Sequence, residues 1–254
     1  MKRNRGAAIA SLLFISLALT TPGRAQLMRI SAGDFTPEAS VITFSEQPFG
    51  TVNPLYDITT ATLGDVTVSF ASNFVGQTRT GTSPVSLAGS PTNPLTLSAD
   101  GDVFIANDGS NPTSPVLSGS PTFNGPISVK FSKPVAAVAL DGGFFNAIGG
   151  TSIEAYGANG TSLGMVQNSA LGIEFFGLAD ASGDNVISGI SFSITGAEPF
   201  GFAIDNLTFG SARELSRPPG GMSAVPEPAN YAAWAATALL LFASRRRLRL
   251  SAAA

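Results

Sequence analysis

The sequence predicts an all-β chain, a β-sandwich of jelly-roll type, with an N-terminal signal peptide before it and a C-terminal transmembrane helix after it. Three observations carry this. Short apolar runs in the middle of the chain alternate with a period of two. Gly, Asn, Asp and Ser clusters punctuate those runs at short intervals. Outside the two ends no stretch repeats with helical spacing. Many short strands separated by turns are the signature of two stacked sheets.

The N-terminus reads Met-Lys-Arg-Asn-Arg, followed by an apolar run from Gly6 to Leu19. Pro22 breaks the run, and Gly23 and Ala25 then supply small residues at the −3 and −1 positions of a cleavage site. A basic start, an apolar centre and a small-residue end make a secretory signal peptide over residues 1–25, with cleavage expected after Ala25. The competing readings are a core helix or a membrane anchor. The apolar run is short for a span.

The body is expected over residues 26–212. Thr43-Phe44-Ser45-Glu46 belongs to an early strand. Val66 to Phe70, Ile127 to Phe131, Ile190 to Ile194 and Phe202 to Phe209 each read as a half-buried strand. Val135 to Leu140 and Ser152 to Tyr156 are further strands. Asp141-Gly142-Gly143, Ala158-Asn159-Gly160 and Ser182-Gly183-Asp184 read as turns. Thr78 to Asn124 is less regular. It echoes itself weakly, Ser83 to Thr92 against Ser114 to Thr122, and reads as a long hairpin or ornamented loop with a strand at Val103 to Ile105. One echo does not make a solenoid.

Composition removes whole classes of chemistry. The chain has no Cys and no His. Disulfides, thiolate or imidazole metal sites and every nucleophile–histidine triad are therefore impossible. Only carboxylates, Lys and Tyr remain for proton transfer, and only hard oxygen ligands for a metal. The formal charge of −3 hides a polarity. Between Gln26 and Phe209 only Arg29, Arg79, Lys130 and Lys133 are basic, while most of the acidic residues lie there. An acidic body speaks against nucleic acid and anionic membrane surfaces as partners.

A Pro/Gly-rich linker is expected over 213–224, and a distinct tail over 225–250. The tail begins Val225-Pro226-Glu227-Pro228, continues as an apolar segment from Ala229 to Ala243, and closes on Arg245-Arg246-Arg247-Leu248-Arg249. Tyr231 and Trp234 near the entry suit a membrane interface, and the arginines suit the cytoplasmic side. The segment is somewhat short for a span of about 20 residues, and snorkelling arginines or local thinning would let it cross. Two prolines hold the backbone before it extended and accessible, with Glu227 as a polar handle.

This three-part end resembles the PEP-CTERM sorting signal of Gram-negative bacteria. The matching residues are Pro226, Glu227 and Pro228, the apolar helix, and Arg245, Arg246 and Arg247. Asn230 departs mildly from the pattern. The resemblance covers about the last thirty residues. It implies recognition and cleavage by an exosortase-type sorting protease, in cells that make extracellular polysaccharide. The chain would be anchored in the inner membrane in transit and would end at the cell surface or outside. A plain tail anchor is the alternative. The run Val129 to Val135, then Phe175-Phe176-Gly177, Ile190-Ser191-Phe192 and Phe202 to Leu207 is similar to galactose-binding-like, carbohydrate-binding-module jelly rolls.

In sandwiches of that kind the first and last strands run side by side, and carboxylates there hold a structural Ca²⁺. The resemblance thus points to Glu46 and Asp205 as calcium ligands. The competing reading is that Asp205-Asn206 ends a strand and Glu46 is solvated. Asp100-Gly101-Asp102 and Asp180 to Asp184 are fragments of calcium loops without the full spacing, and read as turns. No cofactor is otherwise expected. Phe144-Phe145 and Phe175-Phe176 offer an aromatic platform for sugar, but neighbouring strand residues face opposite ways, so one of each pair belongs to the core. Three functions follow for the body: a non-catalytic surface or matrix protein, a carbohydrate-binding module, and a glycoside hydrolase working through a carboxylate pair. No such pair is recognisable in the sequence.

Overall fold

The computed structural model describes residues 27–216. The signal peptide with Ala25, most of the linker, and the tail with Pro226 to Pro228 and Arg245 to Arg247 lie outside the described residues. Among the described residues the chain is nearly all β and its sheets are antiparallel. No helix there is long and apolar enough to cross a membrane.

The strands are β1 (Leu27–Ile30), β2 (Ser40–Ile42), β3 (Leu55–Thr60), β4 (Gly64–Ala71), β5 (Thr78–Thr80), β6 (Ser86–Ala88), β7 (Val103–Ala106) and β8 (Val116–Gly119). They continue as β9 (Ile127–Val135), β10 (Ala137–Phe145), β11 (Thr151–Tyr156), β12 (Ser162–Gln167), β13 (Gly172–Asp180), β14 (Ile187–Ile194) and β15 (Ala203–Gly210). One sheet has the order β1-β13-β10-β15-β8-β7, with β2 also paired to β15; the other has the order β12-β11-β14-β9-β4-β3. β5 and β6 form a small hairpin of their own. The main core draws on both large sheets, as stacked sheets require. An aromatic cluster sits within it, where Phe192 of β14 meets Phe145 of β10, Phe176 of β13 and Phe202.

The expected alternation holds best on β4, where Val66, Val68 and Phe70 are buried and the residues between them are not. It fails on β14, where every residue is buried. The reason is a cover on the second face. Residues 72–98 lie across it, with Phe74 and Leu95 packed on Tyr156. The face they cover is polar, and several of its groups bond to one another: Ser128 meets Ser191 at 2.9 Å, Gln77 Nε2 donates to the Tyr156 hydroxyl at 3.0 Å, and Tyr156 donates to Glu154 at 2.8 Å. Burial and the adjacent Glu154 push the Tyr156 phenol far above its usual range.

Two local expectations are corrected and a third is refined. Thr43 to Glu46 is not on a strand: β2 ends at Ile42, and Glu46 lies in the turn that follows. Asp141-Gly142-Gly143 is not a turn; it lies inside β10. A Cβ on Gly142 would stand 2.7 Å from the Phe145 ring and 2.9 Å from the Phe192 ring, so this glycine makes room for core aromatics. The run from Phe202 to Phe209 does form a strand, β15, but its alternation is broken. Asn206 has φ +48, and the register of β10 with β15 shifts beside it, which is a β-bulge. Ile204 and Leu207 therefore both reach the core, and Asp205 is turned the other way.

The two ends of the described chain close on one another. Thr36 N donates to Glu214 O at 2.9 Å and Ser216 N to Asp34 O at 2.8 Å. Leu215 packs with Ile30 and Phe35 over the small residues Ala137, Ala139 and Ala179. The first residues of the expected linker, Arg213 to Ser216, are thus part of the folded body.

Candidate functional site

At one end of the sandwich four loops converge: 107–115 between β7 and β8, 146–150 after β10, 168–171 before β13, and 195–202 before β15. Between loops 107–115, 146–150 and 195–202, with Phe123 beside them, lies a cleft of about 300 Å³. Its walls include Asp108, Ser110, Phe123, Phe144, Asn146 and Phe200. Phe144 is 51 % exposed and Phe200 77 % exposed, while Phe145 is buried. Large aromatics left in water at a concave site are the usual mark of a ligand surface. Of the two Phe pairs expected to offer a platform, Phe144-Phe145 divides as the strand geometry requires. In the other, Phe176 is core and Phe175 packs edge-on against Phe35 at 6.4 Å, away from any platform.

Three of these loops are held by a carboxylate. Glu198, 2 % exposed, accepts from Asn146 N at 3.1 and 3.0 Å and from Ala147 N at 3.4 Å. It ties the loop of Phe200 to the loop that follows Phe144. Glu174 pairs with Arg29 and accepts from Ser169 N at 2.8 Å and Ala170 N at 2.9 Å. Asn168 joins these two loops, donating to Ala147 O at 2.8 Å and Ala170 O at 3.0 Å. Asp205, 1 % exposed, holds loop 107–115. Its Oδ2 accepts from the Thr113 hydroxyl and from Asn111 Nδ2 at 3.3 Å, and its Oδ1 from Asn206 N at 2.7 Å.

The electrostatics of the two buried anchors follow from burial. Desolvation pushes the Glu198 carboxyl above its usual range, and the two backbone N–H groups pull it part of the way back. Desolvation likewise raises Asp205; Thr113, Asn206 and Asn111 oppose the rise, and Asp141, directly across β10, adds to it. At these two groups the folded chain therefore binds more protons than the unfolded chain in the window just above the ordinary carboxylate pKa. In that window stability falls as pH rises. Unfolding by urea at a series of pH values is expected to show this slope in the wild type, and a flatter one in the Glu198→Gln, Asp205→Asn double variant.

The calcium expectation is not assembled by shared contacts. β2 does lie beside β15, with Ile42 opposite Leu207. Glu46, however, is exposed and accepts from Thr43 N at 3.0 Å and Thr43 Oγ1 at 2.9 Å. Asp205 is engaged with loop 107–115. The two carboxylates have no hydrogen-bond partner in common. Among the described residues no group of three or more acidic side chains is placed to hold a metal ion. Of the calcium-loop fragments, Asp180 to Asp184 makes a turn, in which Asp180 Oδ2 accepts from Ser182 N and Asp184 N, while Asp102 is tied across the chain by Asn53 Nδ2 at 3.0 Å.

Sequence reasoning missed Asp108, Asn146, Glu198 and Phe200. A signal was present for the loops, in the turn-rich run Asn107-Asp108-Gly109-Ser110-Asn111-Pro112 and in Glu198-Pro199-Phe200-Gly201. Nothing local shows that these runs meet. Comparison with protein-family models, with curated proteins and with solved structures finds no match.

Proposed function

We propose that this chain is an exported, non-catalytic surface or extracellular-matrix protein whose tail is read by an exosortase-type sorting protease. The observation that carries this is the order, at the C-terminal end, of Pro226-Glu227-Pro228, an apolar segment and an arginine cluster. The tail would hold the protein in the inner membrane until processing. The acidic body has no affinity to offer nucleic acid. In support of a non-catalytic body, the one acidic pair that the register sets side by side among the described residues, Asp141 and Asp205, is engaged in structure: Asp141 accepts from Asn206 Nδ2 at 2.7 Å and Asp205 from three donors. The reading includes no resident metal.

The test is the mass of the mature protein recovered from the cell surface or medium. The expected product begins at Gln26 and ends near Pro228. Replacing Pro226, Glu227 and Pro228 by alanine is expected to leave a product that retains the apolar segment and Arg245 to Arg249. A wild-type product that keeps its whole tail would make this a plain membrane-anchored protein.

In its finer detail the body reads as a jelly roll. Eight strands support this: β2-β15-β10-β13 in one sheet and β9-β14-β11-β12 in the other, the order of two interleaved Greek keys. β1 and the hairpin β3-β4 extend it at the edges. A second reading, carbohydrate binding on extracellular polysaccharide, is favoured by the cleft of Phe144 and Phe200. Exposed aromatic faces with hydrogen-bonding side chains beside them suit a sugar ring, which is apolar on its faces and polar at its rim.

A further inference from the structure

We propose that the cleft between Phe144, Phe200 and Asp108 selects an amino sugar, a hexose whose ring amine is free and protonated. This rests on the carbohydrate-binding reading and narrows it to a substrate class.

The argument is one of charge and shape together. Among the residues that line the cleft, Asp108 carries a charge and no Lys or Arg is present. Asp108 Oδ1 accepts from Ser110 N at 2.9 Å, and the carboxylate pairs with no base among the described residues. Behind the walls stand Glu198 and Asp205, again without a basic partner. Over residues 27–216 sixteen Asp and Glu face five Lys and Arg, so no distant positive field offsets these groups. A uronic or sulfated sugar would meet repulsion here, and a neutral sugar would leave the Asp108 carboxylate without a counter-charge. An ammonium group would satisfy it by a charge-assisted hydrogen bond.

The aromatic walls favour the same ligand. A cation near an aromatic face is attracted by the ring quadrupole, and the sugar ring that carries it can pack on the second ring. Phe144 and Phe200 both border the cleft and both are exposed, so neither must be uncovered first. At about 300 Å³ the space lies at the small end of ligand pockets, which suits one or two hexose units rather than a long chain. Ser110 and Asn146 remain as uncharged partners for hydroxyls. Loop 107–115 presents Asp108 because Asp205 holds it from beneath, and Glu198 holds the loop with Asn146. The arrangement is therefore built before a ligand arrives.

The test uses the full chain and three probes: glucosamine oligomers, the same oligomers N-acetylated, and galacturonic acid oligomers, titrated by calorimetry at physiological salt. The amine-bearing oligomer is expected to bind at least about tenfold tighter than its acetylated counterpart, a difference of about 1.4 kcal/mol. The uronic oligomer is expected not to bind. Asp108→Asn should remove most of that preference and keep the weaker binding. Phe200→Ala should weaken both amine and acetyl forms. Asp65→Asn, an exposed carboxylate on β4, should change nothing. Equal affinity for the amine and acetyl forms would overturn the amino-sugar inference and leave carbohydrate binding standing. A loss in Asp65→Asn as large as in Asp108→Asn would reduce the effect to diffuse charge and overturn it as well. No binding of any probe would bring down both readings.

Discussion

Replacing Phe192 by alanine is expected to lower the stability of the body by about 3–5 kcal/mol. Phe192 is fully buried on β14. Its ring lies 4.6 Å from that of Phe202, 6.0 Å from Phe176 and 6.1 Å from Phe145, mostly edge-to-face. Three of these four rings come from different strands of the two sheets, and the fourth leads into β15. Removing the central ring opens a void beside Gly142, which has no side chain to move into it. The loss includes transfer of the ring to water, the cavity left behind, and aromatic contacts of up to about 1 kcal/mol each. A domain of this size is commonly stable by about 5–15 kcal/mol, so the variant should unfold at markedly lower urea with an unchanged slope. Phe192→Leu should recover most of the difference. If alanine shifts the midpoint no more than leucine does, the two sheets do not share the core described here.

Asp205→Ala is expected to free loop 107–115 and to destabilise the body by about 1–3 kcal/mol. The substitution removes the acceptor of Thr113, Asn111 and Asn206 N at once, in a place closed to water. Part of that loss is offset, because the carboxylate itself is costly to bury. Hydrogen exchange is the sharper readout: amides of 107–115 should exchange much faster, while those of β14 should quicken only as far as the loss of global stability requires. Asp205→Asn keeps the shape and one acceptor, and should leave the loop largely protected. An unchanged loop in Asp205→Ala would mean that the loop is held by its own turns alone.

Much of the fold was legible residue by residue. β4 carries its alternation in plain sight, and the turn at Ala158 to Gly160 was marked by Asn and Gly. The assignment of Phe145 and Phe176 to the core followed from strand geometry. Other features depend on distant neighbours. Gly142 and Gly143 looked like a turn because glycine serves both turns and close packing, and only the Phe145 and Phe192 rings tell which. The bulge at Asn206 is a choice of backbone conformation that Asn tolerates without announcing it. The cleft was the least legible part. Phe144 was singled out, while Phe200, Asp108 and Glu198 looked like ordinary loop residues, since their meaning depends on neighbours more than 35 residues away.

By itself the sequence determined which chemistries are closed to this protein, that its body is built of strands, and the linear order of tail elements on which the sorting proposal stands. These are local or compositional properties: the absence of Cys and His needs no fold, and an alternation of period two is read within five residues. The tertiary structure alone decided that β14 is covered on both faces, that Asp205 points away from the core, and that three loops meet at the cleft of Phe144. Such features are set by sheet order and by long-range closure of the chain. No short window of sequence contains the pairing of β10 with both β13 and β15, and that pairing is what brings the cleft together.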